Sequence, residues 1–227
     1  MKAIILAAGI GSRLSRPFPK SLSVLPYGET ILGRQIRIMR ELGVREIIVV
    51  VGFKMTLIME QFPEVYYKYN PDYYITNTSK SLLKAVESLD DDILWLNGDV
   101  VFEKNVLKNF LAQKEDSLVC VDRKSCGEEE VKYRLDADGY ITEISKEVVE
   151  AEGEAVGINM IRRKDLPAFT EALRRCEDQD YFEKGLEFII QEGAKIRPVD
   201  IIDHACIEVD FEEDWVSAQK TFLRADQ

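Results

Sequence analysis

The sequence predicts an α/β fold: a mixed, mostly parallel sheet flanked by helices, with a small β-hairpin extension in the second half. Three observations carry this reading. Ala3–Ala8 and Ile47–Val51 are continuous apolar runs without polar alternation, the pattern of strands covered on both faces. Between them, Ile31–Leu42 has apolar residues at helical spacing and stops at Gly43, which completes a right-handed βαβ unit. The alternation then continues, with a helix at Ser79–Leu89, a strand at Asp92–Leu96, a helix at Lys104–Gln113 and a strand at Ser117–Val121.

After residue 125 the texture changes. Val131–Leu135 and Tyr140–Ser145, joined by the turn DADG, read as a hairpin. Ala155–Arg162 reads as a strand, Asp165–Cys176 and Tyr181–Glu192 as helices, and Lys195–Val199 and Cys206–Val209 as short strands. Phe211–Leu223 closes the chain as an amphipathic helix. With no repeat or linker in between, residues 1–227 are expected to form one domain. Residues 1–121 would be its nucleotide-binding half and 122–227 its acceptor-binding half.

Of the 227 residues, 46% are hydrophobic, enough for a sizeable core, which excludes a wholly disordered chain. Acids outnumber bases 41 to 30, a formal charge of −11, so nucleic acid and anionic lipid are poor partners. Cys120, Cys126, Cys176 and Cys206 are scattered without a CxxC pair, which argues against a zinc site or disulfide framework. A single histidine, His204, disfavours a Ser-His-Asp hydrolase. No run approaches the ~20 apolar residues of a membrane span, and the start MKAIILAAGIGSRL lacks a signal peptide's core. The expected location is cytoplasmic, without stable membrane contact.

The first strand runs into Leu6-Ala7-Ala8-Gly9-Ile10-Gly11-Ser12-Arg13-Leu14, followed by Pro19-Lys20. Small residues there let a ligand approach the backbone, and successive N–H groups form an anion nest. Arg13 can grip phosphate oxygens in a bidentate way, while Lys20 is a compact point charge. The Walker pattern is absent. The dinucleotide pattern needs a third glycine where Leu14 stands and a helix that Pro17 and Pro19 delay. Asp99 ends the run Ile93–Asp99, and Asp210 ends Ile207-Glu208-Val209-Asp210. Both lie at strand exits, where open parallel sheets bind ligands. Each would otherwise be read as the cap of a following helix. Glu208 shares a side with Asp210 but lies further from the exit.

LAAGxGxRL followed by PK resembles the signature of the sugar-nucleotidyltransferase superfamily, which implies a Rossmann-like, GT-A-like fold. The resemblance implies an NTP cradled by Leu6, Ala7, Ala8, Gly9, Gly11 and Ser12, with Gly98 nearby and phosphates on Arg13 and Lys20. It also implies Mg²⁺ on Asp99 and Asp210. Asn77 and Ser81, in the polar stretch Asn70–Leu82 that enters the Ser79–Leu89 helix, are candidates to read a pyrimidine edge. The chemistry would be attack of an acceptor phosphate on the α-phosphorus, so alignment and charge neutralisation suffice without a protein nucleophile.

NPDYYITNTSKSL, NGDVVF, DRKSCGEEEVK, EISKE and EVD extend the likeness across most of the chain. They resemble the phosphocholine and inositol-1-phosphate cytidylyltransferase group, which implies CTP as donor and a small phospho-alcohol as acceptor. Lys146, after EIS, is the main candidate for the acceptor phosphate, beside Arg123 and Lys132. Gly157 and Glu183 complete the acceptor set. A choline acceptor would need aromatic and acidic groups such as Tyr73, Tyr74, Tyr133, Tyr181, Phe182, Glu154 and Glu183. The short segment between Leu14 and Pro19 leans toward inositol-1-phosphate. The alternatives are a UTP- or dTTP-dependent sugar-1-phosphate enzyme and a non-catalytic nucleotide sensor. A dinucleotide oxidoreductase is the remaining rival, and a homodimer stays open.

Overall fold

The computed structural model describes residues 1–14 and 16–224. Strand β1 (Lys2–Ala7) leads through a 3₁₀ turn at Ser12–Leu14 and another at Lys20–Leu22 to helix α1 (Ile31–Glu41). Thr30 caps α1 by accepting from Gly33 N at 3.0 Å. Strand β2 (Ile47–Val51), helix α2 (Met55–Gln61), strand β3 (Tyr66–Tyr69) and helix α3 (Thr78–Val86) follow. Next come β4 (Ile93–Asn97), β5 (Val100–Phe102), α4 (Lys104–Ala112) and β6 (Ser117–Asp122). The second half holds the hairpin β7 (Lys132–Leu135) and β8 (Ile141–Ser145), β9 (Gly153–Ile161), α5 (Leu166–Arg175) and α6 (Phe182–Gln191). It ends with β10 (Ile196–Asp200), β11 (Cys206–Glu208) and α7 (Glu212–Thr221).

The expected elements form with ends shifted by a few residues, and three elements appear that the sequence reading lacks: α2, β3 and β5. Each hides for a physical reason. Helix α2 is short and buries only Ile58, so it has no apolar stripe to read. Strand β3, YYKY, is an edge strand with no buried residue. Strand β5 is three residues long and follows directly on a turn.

The main sheet runs β10-β6-β9-β4-β1-β2-β3. Strands β1, β2, β3 and β4 pair in parallel, as do β6 and β10, while β9 lies antiparallel between β4 and β6. The hairpin joins through β7, which pairs with the start of β9. Mostly parallel pairing with one reversed strand brings the exits of β1, β4 and β6 and the entry of β9 to one end of the sheet. Apolar cores fill both faces: Ile5, Leu96 and Phe110 on one, Ile4, Trp95 and Phe169 on the other. A third core, around Leu25, Val101, Trp215 and Phe222, seats α7 on the β5–β11 ribbon.

Candidate active site

The exits of β1 and β4 open into a cleft of about 570 Å³. Its first wall is the loop after β1. Leu6, Ala7, Gly9, Gly11 and Arg13 line it, together with Lys20. Gly11 turns with φ +65, and the Lys20 stem packs so closely that a Cβ at Gly11 would sit 3.2 Å from Lys20 Cβ. Ala8 is buried behind the wall, its carbonyl accepting from Phe53 N at 3.0 Å. Ser12 opens the 3₁₀ turn, and its side chain lies outside what is described.

The floor is built by the β5–β11 ribbon. Strand β11 pairs antiparallel with β5, and Val209 N donates to Asp99 O at 3.1 Å, which brings Asp99 beside Asp210 across a long sequence separation. Gly98 N donates to Leu6 O at 2.9 Å, tying this turn to the end of β1. Neither aspartate caps a helix. Glu103 stands at the start of α4 without a capping bond. Asp214 accepts from Asp210 N at 3.0 Å and from Phe211 N at 2.7 Å, leaving the Asp210 side chain to the cleft.

Lys20 joins the wall to the floor. Its ammonium contacts Asp99 Oδ2 and lies 2.8 Å from Asp210 Oδ1, while Arg13 NH1 lies 3.2 Å from Asp210 Oδ2. Burial opposes the Lys20 charge, but the two carboxylates outweigh it and hold the ammonium above the ordinary lysine value. Glu208 faces the cleft and accepts from Asn97 Nδ2 at 2.9 Å. Crowding by surrounding protein, then the charges of Asp99 and Asp210, hold its carboxyl above the usual range.

The donor set suits a hard divalent cation. Two carboxylates converge on one point, already taken by a compact cation, and Asp99 Oδ1 is buried without a hydrogen-bond partner. No group of three or more His, Cys, Asp or Glu gathers at metal-binding spacing among the described residues. Ligand phosphates would therefore supply the remaining oxygens, the usual arrangement for Mg²⁺.

The far end of the cleft has different chemistry. Lys124, Lys146, Glu154, Tyr181, Phe182 and Glu183 line it. Lys146 Nζ lies 3.2 Å from Glu129 and 5.2 Å from the centre of the Tyr181 ring, and Lys124 lies 2.7 Å from Glu154. Glu183 is 8% exposed, and its Oε2 has no partner. Burial pushes its carboxyl up to about 7, against the pull of its own backbone N–H and of Lys146.

Several sequence expectations land elsewhere. Asn77 and Ser81 do not line the cleft. Asn77 accepts from Thr78 N at 2.8 Å and donates to Gln179 O at 3.3 Å, while Ser81 Oγ accepts from buried Asn70 at 3.0 Å. Thr78, between them, is the residue of this stretch that reaches the cleft. Lys132 lies off the lining, opposite Ser145 and Glu154 in the hairpin. Gly157 lies in β9, where a Cβ would meet Val100 Cγ2 at 2.9 Å, again off the cleft wall. Arg123 turns away to Asp200 at 3.2 Å, and its neighbour Lys124 takes the cleft position.

Sequence reading also missed what holds the floor. Arg34, buried in α1, donates to Phe102 O at 2.9 and 3.1 Å, and Gln35 Nε2 donates to Asn97 O and Val100 O, each at 2.8 Å. These bonds clamp both sides of the Asp99 turn.

A glycine-bearing loop with two cations at a sheet's carboxyl end, facing paired carboxylates, defines an α/β nucleotide-binding domain of the transferase type. The chain belongs to the MobA-like NTP transferase domain family, whose model matches residues 3–192. It is 33% identical over 92% of its length to the CMP-5'-(3-aminopropyl)phosphonate synthase of Streptomyces rubellomurinus, but spans only 37% of that protein. Its fold is similar to that of the inositol-1-phosphate CTP transferase from T. maritima, with a TM-score of 0.82 and 16% identity over 96% of this chain and 94% of the other. The CTP:phosphocholine cytidylyltransferase of Streptococcus pneumoniae is similar too, with a TM-score of 0.81 and 20% identity over 97% and 98% of the two chains. No helix among the described residues is long and apolar enough to cross a membrane.

Proposed function

We propose that the protein transfers CMP from CTP to a small acceptor bearing a phosphate or phosphonate, with release of pyrophosphate. One observation carries this reading: loop cations, paired carboxylates and a second lysine-bearing end share a single cleft. An acceptor oxygen forms a bond to the α-phosphorus of CTP as the bond to the β-phosphate oxygen breaks. The acceptor anion is already a nucleophile, so no protein base is required. Arg13 and Lys20 take the charge that builds on the departing pyrophosphate. Lys146 and Lys124 hold the acceptor's anionic group. Asp99 and Asp210 would hold Mg²⁺, which when bound supplies charge neutralisation between two anionic reactants. The choice of CTP rests on the likeness to CTP-dependent relatives.

The acceptor admits two chemistries. The short Leu14–Pro19 segment favours inositol-1-phosphate. Glu183 favours an acceptor with a positive end, because a nearly buried carboxyl with an unpartnered oxygen gains both a donor and a neutralising charge from an ammonium, where a polyol hydroxyl supplies the donor alone. Tyr181 beside it adds an aromatic face. A relative named for an aminopropyl phosphonate and a fold neighbour named for phosphocholine agree with this second chemistry.

The test is pyrophosphate release with Mg²⁺ and CTP, UTP or dTTP against inositol-1-phosphate, phosphocholine, phosphoethanolamine and 3-aminopropylphosphonate. The reading expects CTP with a nitrogen-bearing acceptor to be fastest. Tight CTP binding without turnover on any acceptor would instead support a nucleotide sensor.

A further inference from the structure

The two cations meant for phosphates are bound to the two carboxylates meant for a metal. Lys20 Nζ bridges Asp99 and Asp210, with side chains only 15% and 18% exposed for Lys20 and Asp99. Arg13 holds the other oxygen of Asp210 and lies 5.3 Å from the centre of the Phe211 ring. Three of the four oxygens of the pair therefore face protein cations. The fourth, Asp99 Oδ1, is buried and unpartnered.

A point within bonding reach of both carboxylates is where a shared divalent ion has to sit. Lys20 occupies that point with a charge of the same sign. Two cations cannot share it, since at such separations in a part-buried site their repulsion far exceeds thermal energy. The triphosphate has the complementary need: it gains Arg13 and Lys20 only when they leave the aspartates.

We propose that Lys20 is the resident cation of the Asp99–Asp210 pair and that binding is an exchange, the triphosphate withdrawing Lys20 and Arg13 while a divalent ion takes over the carboxylates. Each ligand then frees the partners of the other, and the coupling is reciprocal. Lys20 thereby acts as a positioning residue for binding order as well as a phosphate ligand. The ion enters with the nucleotide rather than ahead of it.

This inference rests on the reading of Asp99 and Asp210 as metal carboxylates in the proposed function. Its test needs no turnover. Mn²⁺ binding without nucleotide is followed by electron paramagnetic resonance for the wild type, Lys20→Met, Lys20→Arg and Lys146→Met. Lys20→Met is expected to bind Mn²⁺ more tightly than wild type, within the roughly 5- to 150-fold range of ordinary couplings. Lys20→Arg keeps the charge and the weak binding. Lys146→Met removes a cation from the same cleft whose ion pair is with Glu129 and not with either aspartate, and leaves Mn²⁺ affinity within about twofold, as expected for a screened charge out of contact.

Thermal melting gives a second readout, which reports Mn²⁺ binding through stability and does not depend on turnover. Lys20→Met leaves two carboxylates facing each other, so its melting temperature falls in chelator and recovers with Mn²⁺, while the wild type responds to neither. Equal Mn²⁺ affinity in wild type and Lys20→Met overturns the exchange. So does tighter binding in Lys146→Met of the same size as in Lys20→Met. Failure of every acceptor in the pyrophosphate assay is read separately and leaves the Mn²⁺ comparison standing.

Discussion

Glu183 is where one residue's chemistry is most exposed to experiment. A buried acid whose carboxyl is pushed from 4.5 up to about 7 binds a proton more readily in the folded chain than in the unfolded one. The stability it contributes is complete below about pH 4.5, declines between there and about 7, and is lost above. Glu183→Gln stays neutral and lacks that slope. We expect the melting temperature of the wild type to fall relative to Glu183→Gln as pH rises through this window. A constant difference between the two would contradict the buried, neutral carboxyl. An ammonium-bearing acceptor should also strip the proton, so its binding near pH 7 releases protons, measurable as a buffer-dependent heat. At the other end of the cleft, Lys20→Ala should lower turnover by about 10²–10³, the typical loss when one electrostatic group is removed. A steady-state rate within tenfold of wild type would exclude Lys20 from the phosphate site.

At the scale of elements, the floor depends on α1. Arg34 and Gln35 donate to carbonyls on either side of the Asp99 turn, and Arg34 also lies over the Phe222 ring at 4.9 Å. Arg34→Met should therefore cost about 2–3 kcal/mol, because it leaves a buried carbonyl unpaired. In a chain of this size that lowers the melting temperature by roughly 5–10 °C. Unchanged melting would show that the clamp carries no load.

This element also marks the limit of what the sequence made legible. Strands β1, β2 and β4 were readable because buried parallel strands are uninterrupted apolar runs. Asp99 was readable because it sits at the end of such a run, whereas Asp210 follows a short antiparallel strand of the β5–β11 ribbon, interrupted by Glu208, and not a strand of the parallel sheet. Arg34 and Gln35 were not readable, since helical periodicity assigns polar residues to the solvent face and gives no sign that these two bury. Asn77 and Ser81 misled because the same residue types that read bases also cap helices and satisfy interior amides. Lys124 was missed by one position, because the backbone after β6 leaves strand geometry and alternation no longer says which side chain turns inward.

For the whole molecule, one reversed strand has functional weight. With β9 antiparallel between β4 and β6, its entry brings Glu154 and Val156 to the end of the sheet where β1 and β4 leave off. The end of the cleft lined by Lys124, Lys146, Glu154 and Glu183 is thereby assembled from the second half of the chain, and it faces an end where Arg13, Lys20 and Asp99 of the first half meet Asp210 of the second. The small β5–β11 ribbon supplies the floor between them. Disrupting that ribbon should separate the two carboxylates without unfolding the main sheet. Ile207→Pro, which places a proline within β11, is expected to abolish Mn²⁺-dependent turnover while circular dichroism stays near wild type. Retained turnover would show that the ribbon does not place Asp210.

The most direct measurement is phosphorus NMR of a mixture of protein, CTP and an amine-bearing phosphate or phosphonate, with Mg²⁺ and then with chelator. Mg²⁺ is expected to produce pyrophosphate together with the paired resonances of a CMP conjugate, chelator to stop both, and Asp99→Asn and Asp210→Asn to produce neither. Conjugate formation undiminished in chelator or in both variants would contradict the proposed function.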